Sequence, residues 1–136
     1  MDAKVRDLLG RVQCVSLANC ETTYPKVRPM TLIFKDDRFF FATGKSDNKT
    51  AQLEINPRAE FIYLIPKGES TGYLRGSGAM LAVDDLALRK EIADWAPFIY
   101  DYFHDPADPS YVLFEFIPDR LTLMQPGEMY ETAVQI

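Results

Sequence analysis

The chain has 136 residues, 47 % of them apolar and 26 % charged, and carries a net charge of −5. That size and balance describe one globular domain spanning residues 1–136 with a core of its own, and the acidic surplus argues against a phosphate-backbone partner. No apolar run reaches the roughly 18–20 residues of a membrane span, and the charges scattered through MDAKVRDLLGRV do not form a signal peptide, so a cytoplasmic address is expected.

Residues 2–10 read as a helix, with Val5, Leu8 and Leu9 at spacings of three and four. Residues 12–18 follow as a strand in which Val15 and Leu17 alternate with polar neighbours, and NCETTYP turns the chain. Cys14 and Cys20 are the only cysteines. On one extended strand they lie about 20 Å apart at roughly 3.3 Å per residue. A disulfide tolerates Cα separations of about 7 Å, so two free thiols are expected, packed as small apolar side chains, with a reactive thiol as the alternative for either. A second strand covers residues 26–34, KDDR makes a tight hairpin, and residues 39–43 return as a third strand.

ATGKSDNKTAQLEINP, residues 42–57, breaks this rhythm. The strand stops at Gly44, a polar helix starts with Ser46 or Asp47 as its cap, and Asn56-Pro57 closes it, because the residue before proline is pushed out of the α region. Lys49 stands in the first turn, where a capping box would carry Glu or Gln. The helix dipole disfavours a cation there by about 0.3–1 kcal/mol, and a bound anion would reverse that sign. Thr43, Ser46 and Lys49 supply two hydroxyls and an ammonium beside free backbone N–H groups, the inventory of a phosphate site at a helix N-terminus. Asp47 would compete with an anion, and a solvated helix start is the plain alternative. In YPKVRPMTLIF, residues 24–34, Arg28 interrupts an apolar strand and Pro29 follows it, unable to donate to a ladder. That implies an edge or a gap in pairing, with backbone groups left for a ligand. Arg28 would then complement Lys49 with a bidentate fork, the alternative being a surface arginine on an outer face.

Residues 59–65 form a strand with Phe61, Tyr63 and Ile65 on one face, and PKGESTG turns the chain. In the long segment 73–83, Gly76 and Gly78 mark a bend or bulge of the kind that closes a barrel. Asp84 or Asp85 caps a helix on which Leu88, Ile92 and Trp95 share a core-facing side. APFIYDYFHDPADPS holds the lone histidine, His104, with Tyr100 and Tyr102 and, just beyond, Tyr111, an aromatic stretch suited to covering a pocket. No zinc spacing and no Ser-His-Asp arrangement accompanies that histidine. Residues 111–124, interrupted at Pro118, make the last strand or two, and the tail QPGEMYETAVQI has no clear element. Several antiparallel strands, few separate helices and no repeated βαβ unit indicate an α+β, mainly antiparallel β fold: a small barrel with helices outside it.

The ordered set YPKVRPMTLIF, RFFFATGKSDNKTAQLEINPRAEFIYL and GYLRGSGAMLAVDD resembles the pyridoxamine 5′-phosphate oxidase-like family of FMN-binding split β-barrels, over residues 10–123. Its short branch of general stress and nitroimidazole-resistance proteins is most similar. The resemblance implies a six-stranded split β-barrel with flanking helices, FMN as cofactor, and a homodimer with two sites at its interface. It also implies oxidoreductase chemistry on a small molecule. Carried over by position, it sets Arg28, Pro29, Met30, Thr31 and Leu32 along the cofactor, with the backbone N–H groups of residues 30–32 as donors. Thr43, Ser46, Asn48 and Lys49 would surround the phosphate. The sequence departs from the oxidase proper in lacking its C-terminal arginine-leucine-histidine motif, and in carrying Tyr73 and Leu74 where that enzyme has an arginine-glutamine pair. Oxidation of pyridoxamine phosphate itself is therefore not expected. Because no side chain stands out as an acid or base, the alternatives are a flavin carrier or sensor without turnover, and a related barrel using a deazaflavin or haem, with His104 as the axial ligand.

Overall fold

In a computed structural model of the chain, residues 1–45 and 48–136 are described, those at 21, 48 and 49 by their backbone alone. The elements run α1 (Ala3–Leu8), β1 (Val12–Glu21), β2 (Tyr24–Lys35), β3 (Arg38–Gly44), α2 (Asn48–Ile55), β4 (Arg58–Lys67), β5 (Ser70–Ala82), α3 (Leu86–Trp95), a 3-10 turn (Pro97–Asp101), β6 (Tyr111–Met124) and β7 (Thr132–Val134). All strand pairs are antiparallel, in the order β3-β2-β1-β4-β5-β6, and a β3–β6 pairing closes six of them into a ring. This is the expected six-stranded split barrel with flanking helices. Among the described residues no helix is long and apolar enough to cross a membrane.

Turn chemistry sets the hairpins. Asp36 and Asp37 take φ of 52° and 61°, the pair of left-handed residues that a two-residue hairpin needs and that aspartate tolerates. The first hairpin is tighter than its composition suggests: β1 runs on to Glu21 and β2 starts at Tyr24, leaving only Thr22 and Thr23 between them. Asn19, expected in the turn, is held in the ladder because its side chain is buried and bonded to Gln52.

Strand alternation fills the barrel with Val15, Leu17, Leu32, Phe34, Phe39, Phe41, Phe61, Leu74 and Phe116. The rings of Phe61 and Phe116 meet edge-on at 5.3 Å, a favourable aromatic geometry. Outward-facing Ile33, Phe40 and Leu113 form a second core with Ile92, Ala93 and Ile99. Double-sided burial at the β2–β3 hairpin explains why TLIF and FFF are unbroken apolar runs. Trp95 packs against this second core as expected, its Nε1 donating to the Phe34 carbonyl at 2.9 Å and Arg11 lying 3.8 Å over its ring. The Asp85 carboxylate accepts from the Ala87 N–H and caps α3.

Gly76 lies under Phe61, where a Cβ would stand 2.4 Å from the ring. At Gly78 a Cβ would meet the Ile117 carbonyl oxygen at 2.1 Å, and the register slips there: Ser77 faces Arg120 while Gly78 faces Pro118. The bulge expected at the glycines is therefore carried by Asp119 on the facing strand, and β6 runs unbroken through Pro118. The tail is ordered by β7, by the Asp2 N–H donating to the Gln135 carbonyl at 2.9 Å, and by Glu131, which accepts from the Tyr73 hydroxyl and Arg75 Nε.

Candidate functional site

β2 and β3 pair only at their hairpin end. Among the described residues the ladder joins Lys35 to Arg38, Phe34 to Phe39 and Ile33 to Phe40, and then stops. Beyond it β2 pairs with β1 alone and β3 with β6 alone. Continued in the same register, the ladder would set Thr31 against Ala42. Instead those two residues line the mouth of a cavity of about 280 Å³, together with Cys14, Pro29, Met30 and Phe98.

Backbone directions follow from the alternation of an antiparallel ladder. The Phe34 N–H donates to the Arg11 carbonyl at 3.0 Å, so positions 34, 32, 30 and 28 spend their backbone bonds on β1. Positions 33, 31 and 29 turn theirs toward β3. Ile33 meets Phe40 there, Thr31 directs its N–H and C=O into the cleft, and Pro29 has no N–H to direct. This is the gap in pairing that Arg28-Pro29 implies. The expected row divides by face: Leu32 is wholly buried in the barrel with Met30 against it, and both have their backbone bonds on β1. Of the donors expected at residues 30–32, Thr31 alone therefore turns its N–H to the cleft, and Pro29 and Thr31 face outward.

At the inner end of the cleft, Arg28 reaches α2. Its Nη2 donates to Gln52 Oε1 at 3.4 Å, and the same oxygen accepts from Asn19 Nδ2 at 3.0 Å. Asn19 Oδ1 is buried without a hydrogen-bond partner among the described residues. Thr43 is buried at the end of β3, on the inner face shared with Phe41. The Thr50 hydroxyl donates to the Gly44 carbonyl at 3.1 Å, fixing the start of α2 to the end of β3. Ser46 lies outside the described residues, as do the side chains of Asn48 and Lys49, whose backbones open α2.

Cys14, Ala42, Phe98 and Gln52 belong to this region without having stood out in the sequence. Cys14 faces Thr31 across β1–β2 and is exposed, not packed away as a small apolar residue. Both cysteines are free, as their spacing requires. Of the aromatic stretch expected to cover a pocket, only Phe98 lines this one. Tyr111 is buried in the second core and stacked on Phe103 at 5.5 Å, Tyr100 donates to Asp94, and Tyr102 and His104 are exposed. A larger hollow of about 470 Å³ lies between α2 and the ends of β5 and β6. Its Arg89 spends its donors on the carbonyls of Pro106, Asp108 and Tyr111, and burial pushes the Tyr111 hydroxyl up to about 12. That corner ties α3 to the following loop and meets the site at Thr50 of α2, while none of its residues lines the cleft between β2 and β3.

Residues 1–125 match the family described as Pyridoxamine 5′-phosphate oxidase. General stress protein 26 of Bacillus subtilis (strain 168) is 25 % identical over 134 residues, 98 % of this chain and 94 % of its own. The crystal structure of General Stress Protein 26 from Bacillus anthracis str. Sterne superposes with a TM-score of 0.76 at 20 % identity, over 97 % of each chain. A FAD-binding protein from Mesorhizobium loti shares the fold, with a TM-score of 0.70 and 15 % identity over 99 % of this chain and 96 % of its own. So does a heme binding protein from Mycobacterium smegmatis, with a TM-score of 0.72 and 16 % identity over 90 % of this chain and 53 % of its own. A ring opened between β2 and β3, and a match that runs through nearly all of the sequence, make this chain a member of the pyridoxamine 5′-phosphate oxidase family.

Proposed function

We propose that the protein binds FMN in the cleft between β2 and β3 and, as a homodimer in the cytoplasm, acts as an oxidoreductase on a small molecule. The observation that carries this reading is the open ladder at Thr31 and Ala42. The described residues suit the group. Pro29, Met30, Ala42 and Phe98 offer an apolar wall to a flat ring, and the Thr31 N–H and C=O offer a donor and an acceptor to its polar edge. Arg28 beside α2, and the opening turn of that helix, suit a phosphate. FMN would supply the electron chemistry, and the chain would bind it, orient it and limit its contact with water.

A second copy of the chain completes this reading. The cavity, at about 280 Å³, falls just below the roughly 300–1,000 Å³ of pockets that bury most of a ligand, so another wall is needed. The outer row of β2 continues from Pro29 to Val27, which is 71 % exposed, an apolar margin suited to a partner. Pyridoxamine phosphate is not the substrate on this reading. Leu74 lies in the core and the Tyr73 hydroxyl is bonded to Glu131, so neither replaces the oxidase's arginine-glutamine pair.

One observation favours a flavin carrier or sensor instead: among the described residues the cleft lining contains no carboxylate, lysine or histidine, and Cys14 is its one titratable side chain. The deciding experiment is a visible spectrum of the freshly purified protein, repeated after incubation with FMN and gel filtration. A flavin band that travels with a dimer supports the reading, and loss of the band from both samples overturns it. Steady reduction of an acceptor by a nicotinamide donor separates the enzyme from the carrier. A Soret band abolished in His104→Ala would assign the barrel to haem.

A further inference from the structure

We propose that Gln52 is a positioning residue that presents Arg28 to the anionic end of the ligand, with Asn19 holding Gln52 in place; this rests on the FMN reading above. Gln52 and Asn19 are only 6 % and 5 % exposed, and buried amides are costly unless bonded. Gln52 Oε1 takes one donor from β1 (Asn19 Nδ2, 3.0 Å) and one from β2 (Arg28 Nη2, 3.4 Å). A single oxygen on α2 thus fixes two neighbouring strands relative to the helix, at the inner end of the split.

The chemistry of that acceptor matters. Toward Arg28, Gln52 contributes an amide, which orients a guanidinium without adding a negative charge that would repel an incoming anion. Position 52 follows Asn48 by four residues, about 6 Å along the helix at 1.5 Å per residue. Positions 48 and 49 precede it on the same side, at spacings of four and three. An arginine held at Gln52 therefore sits one turn from the helix opening assigned to the phosphate. In the same cluster, Asn19 Oδ1 is a buried acceptor whose donor is not among the described residues. It is suited to a ligand hydroxyl or a water.

The test compares dissociation constants of FMN and riboflavin for the wild type, Gln52→Glu and Gln52→Met, with circular dichroism to confirm folding. A carboxylate at position 52 competes with the phosphate for Arg28, so Gln52→Glu should weaken FMN by about tenfold or more and leave riboflavin within about threefold. Gln52→Met keeps the length and loses the acceptor, so it should lower the FMN preference in the same direction by a smaller factor. It decides the matter alone if the buried glutamate prevents folding. Equal losses for both ligands make Gln52 merely structural and overturn the proposal. So does an FMN preference that survives both substitutions. A wild type that binds FMN no better than riboflavin removes the phosphate reading itself, and the proposal with it.

Discussion

Thr31 and Ala42 occupy facing positions on β2 and β3, two residues past the last ladder pair, and the barrel opens between them instead of pairing them. A ladder that stops at that rung, with Pro29 at the next cleft-facing position, gives a ligand access to backbone groups that a closed barrel would consume.

The small side chain of Ala42 keeps that opening wide. Leucine at position 42 has the adjoining cavity of about 280 Å³ to enter, so the substitution should shift stability by less than about 1.5 kcal/mol. Ala42→Leu is expected to lower FMN affinity by about tenfold or more, because its branched end occupies the space of the ring. Calorimetric titration and urea unfolding read the two quantities separately. Unchanged affinity would move the ring out of this cleft.

Lys49, in the opening turn of α2, raises a separate expectation. A charge-assisted contact to phosphate contributes about 1.5–3 kcal/mol. Lys49→Ala should therefore weaken FMN by about 10- to 100-fold and riboflavin, which lacks the phosphate, hardly at all. Equal losses would mean that the lysine serves the helix and not the ligand.

The local signals read well because they are local. Pro29 after Arg28 announces missing ladder bonds, two aspartates announce a tight hairpin, and Gly76 and Gly78 announce close approach in a strand. Residues that reach the cleft through register are harder to see. Cys14 meets Thr31 only because β1 and β2 pair in one register, and Phe98 arrives from a distant turn after α3. Gln52 hides for a different reason. Polar residues on a short helix suggest a solvated face, yet Thr50 and Gln52 are buried where α2 covers the end of the barrel. Local polarity cannot distinguish a wet face from a bonded interior one. The bulge shows the same limit: the glycines mark where space is needed, and the extra residue, Asp119, lies on the other strand.

Phe61 and Gly76 supply a stability test of the barrel. A methyl at position 76 would approach the Phe61 ring to 2.4 Å, so Gly76→Ala should cost about 1–3 kcal/mol. Phe61→Leu makes room for that methyl. The double variant should therefore be more stable than the sum of the single losses predicts, with a coupling of at least about 0.5 kcal/mol in urea melts. Simple additivity would show that the backbone, not the ring, relieves the clash.

Arg75 binds Glu60 from β4 and Glu131 from the tail, at 2.6 and 3.0 Å. Burial works against the Glu60 carboxylate, but hydrogen bonds from Arg75 and Ser77 outweigh it and hold the group below its ordinary value of 4.5. For Glu131 the Tyr73 hydroxyl is the main cause of a value held below 4.5, opposed by slight burial and reinforced by Arg75. A carboxyl depressed in the folded state stabilises it above the unfolded value, and that contribution is lost as pH falls through the folded value. The latch should thus be constant near neutrality and fade in acid below pH 4.5. With the side chains of Arg75 and Glu131 35 % and 30 % exposed, solvent screening keeps each pair within about 1 kcal/mol. Hydrogen-exchange protection of residues 132–134 reads the tail directly. Protection should be higher in the wild type than in Glu131→Gln at pH 7, and the difference should vanish in acid. A difference that persists unchanged in acid would show that titration of Glu131 does not govern the latch, and no difference at pH 7 would leave the tail held by its ladder to β6 and the Asp2–Gln135 bond.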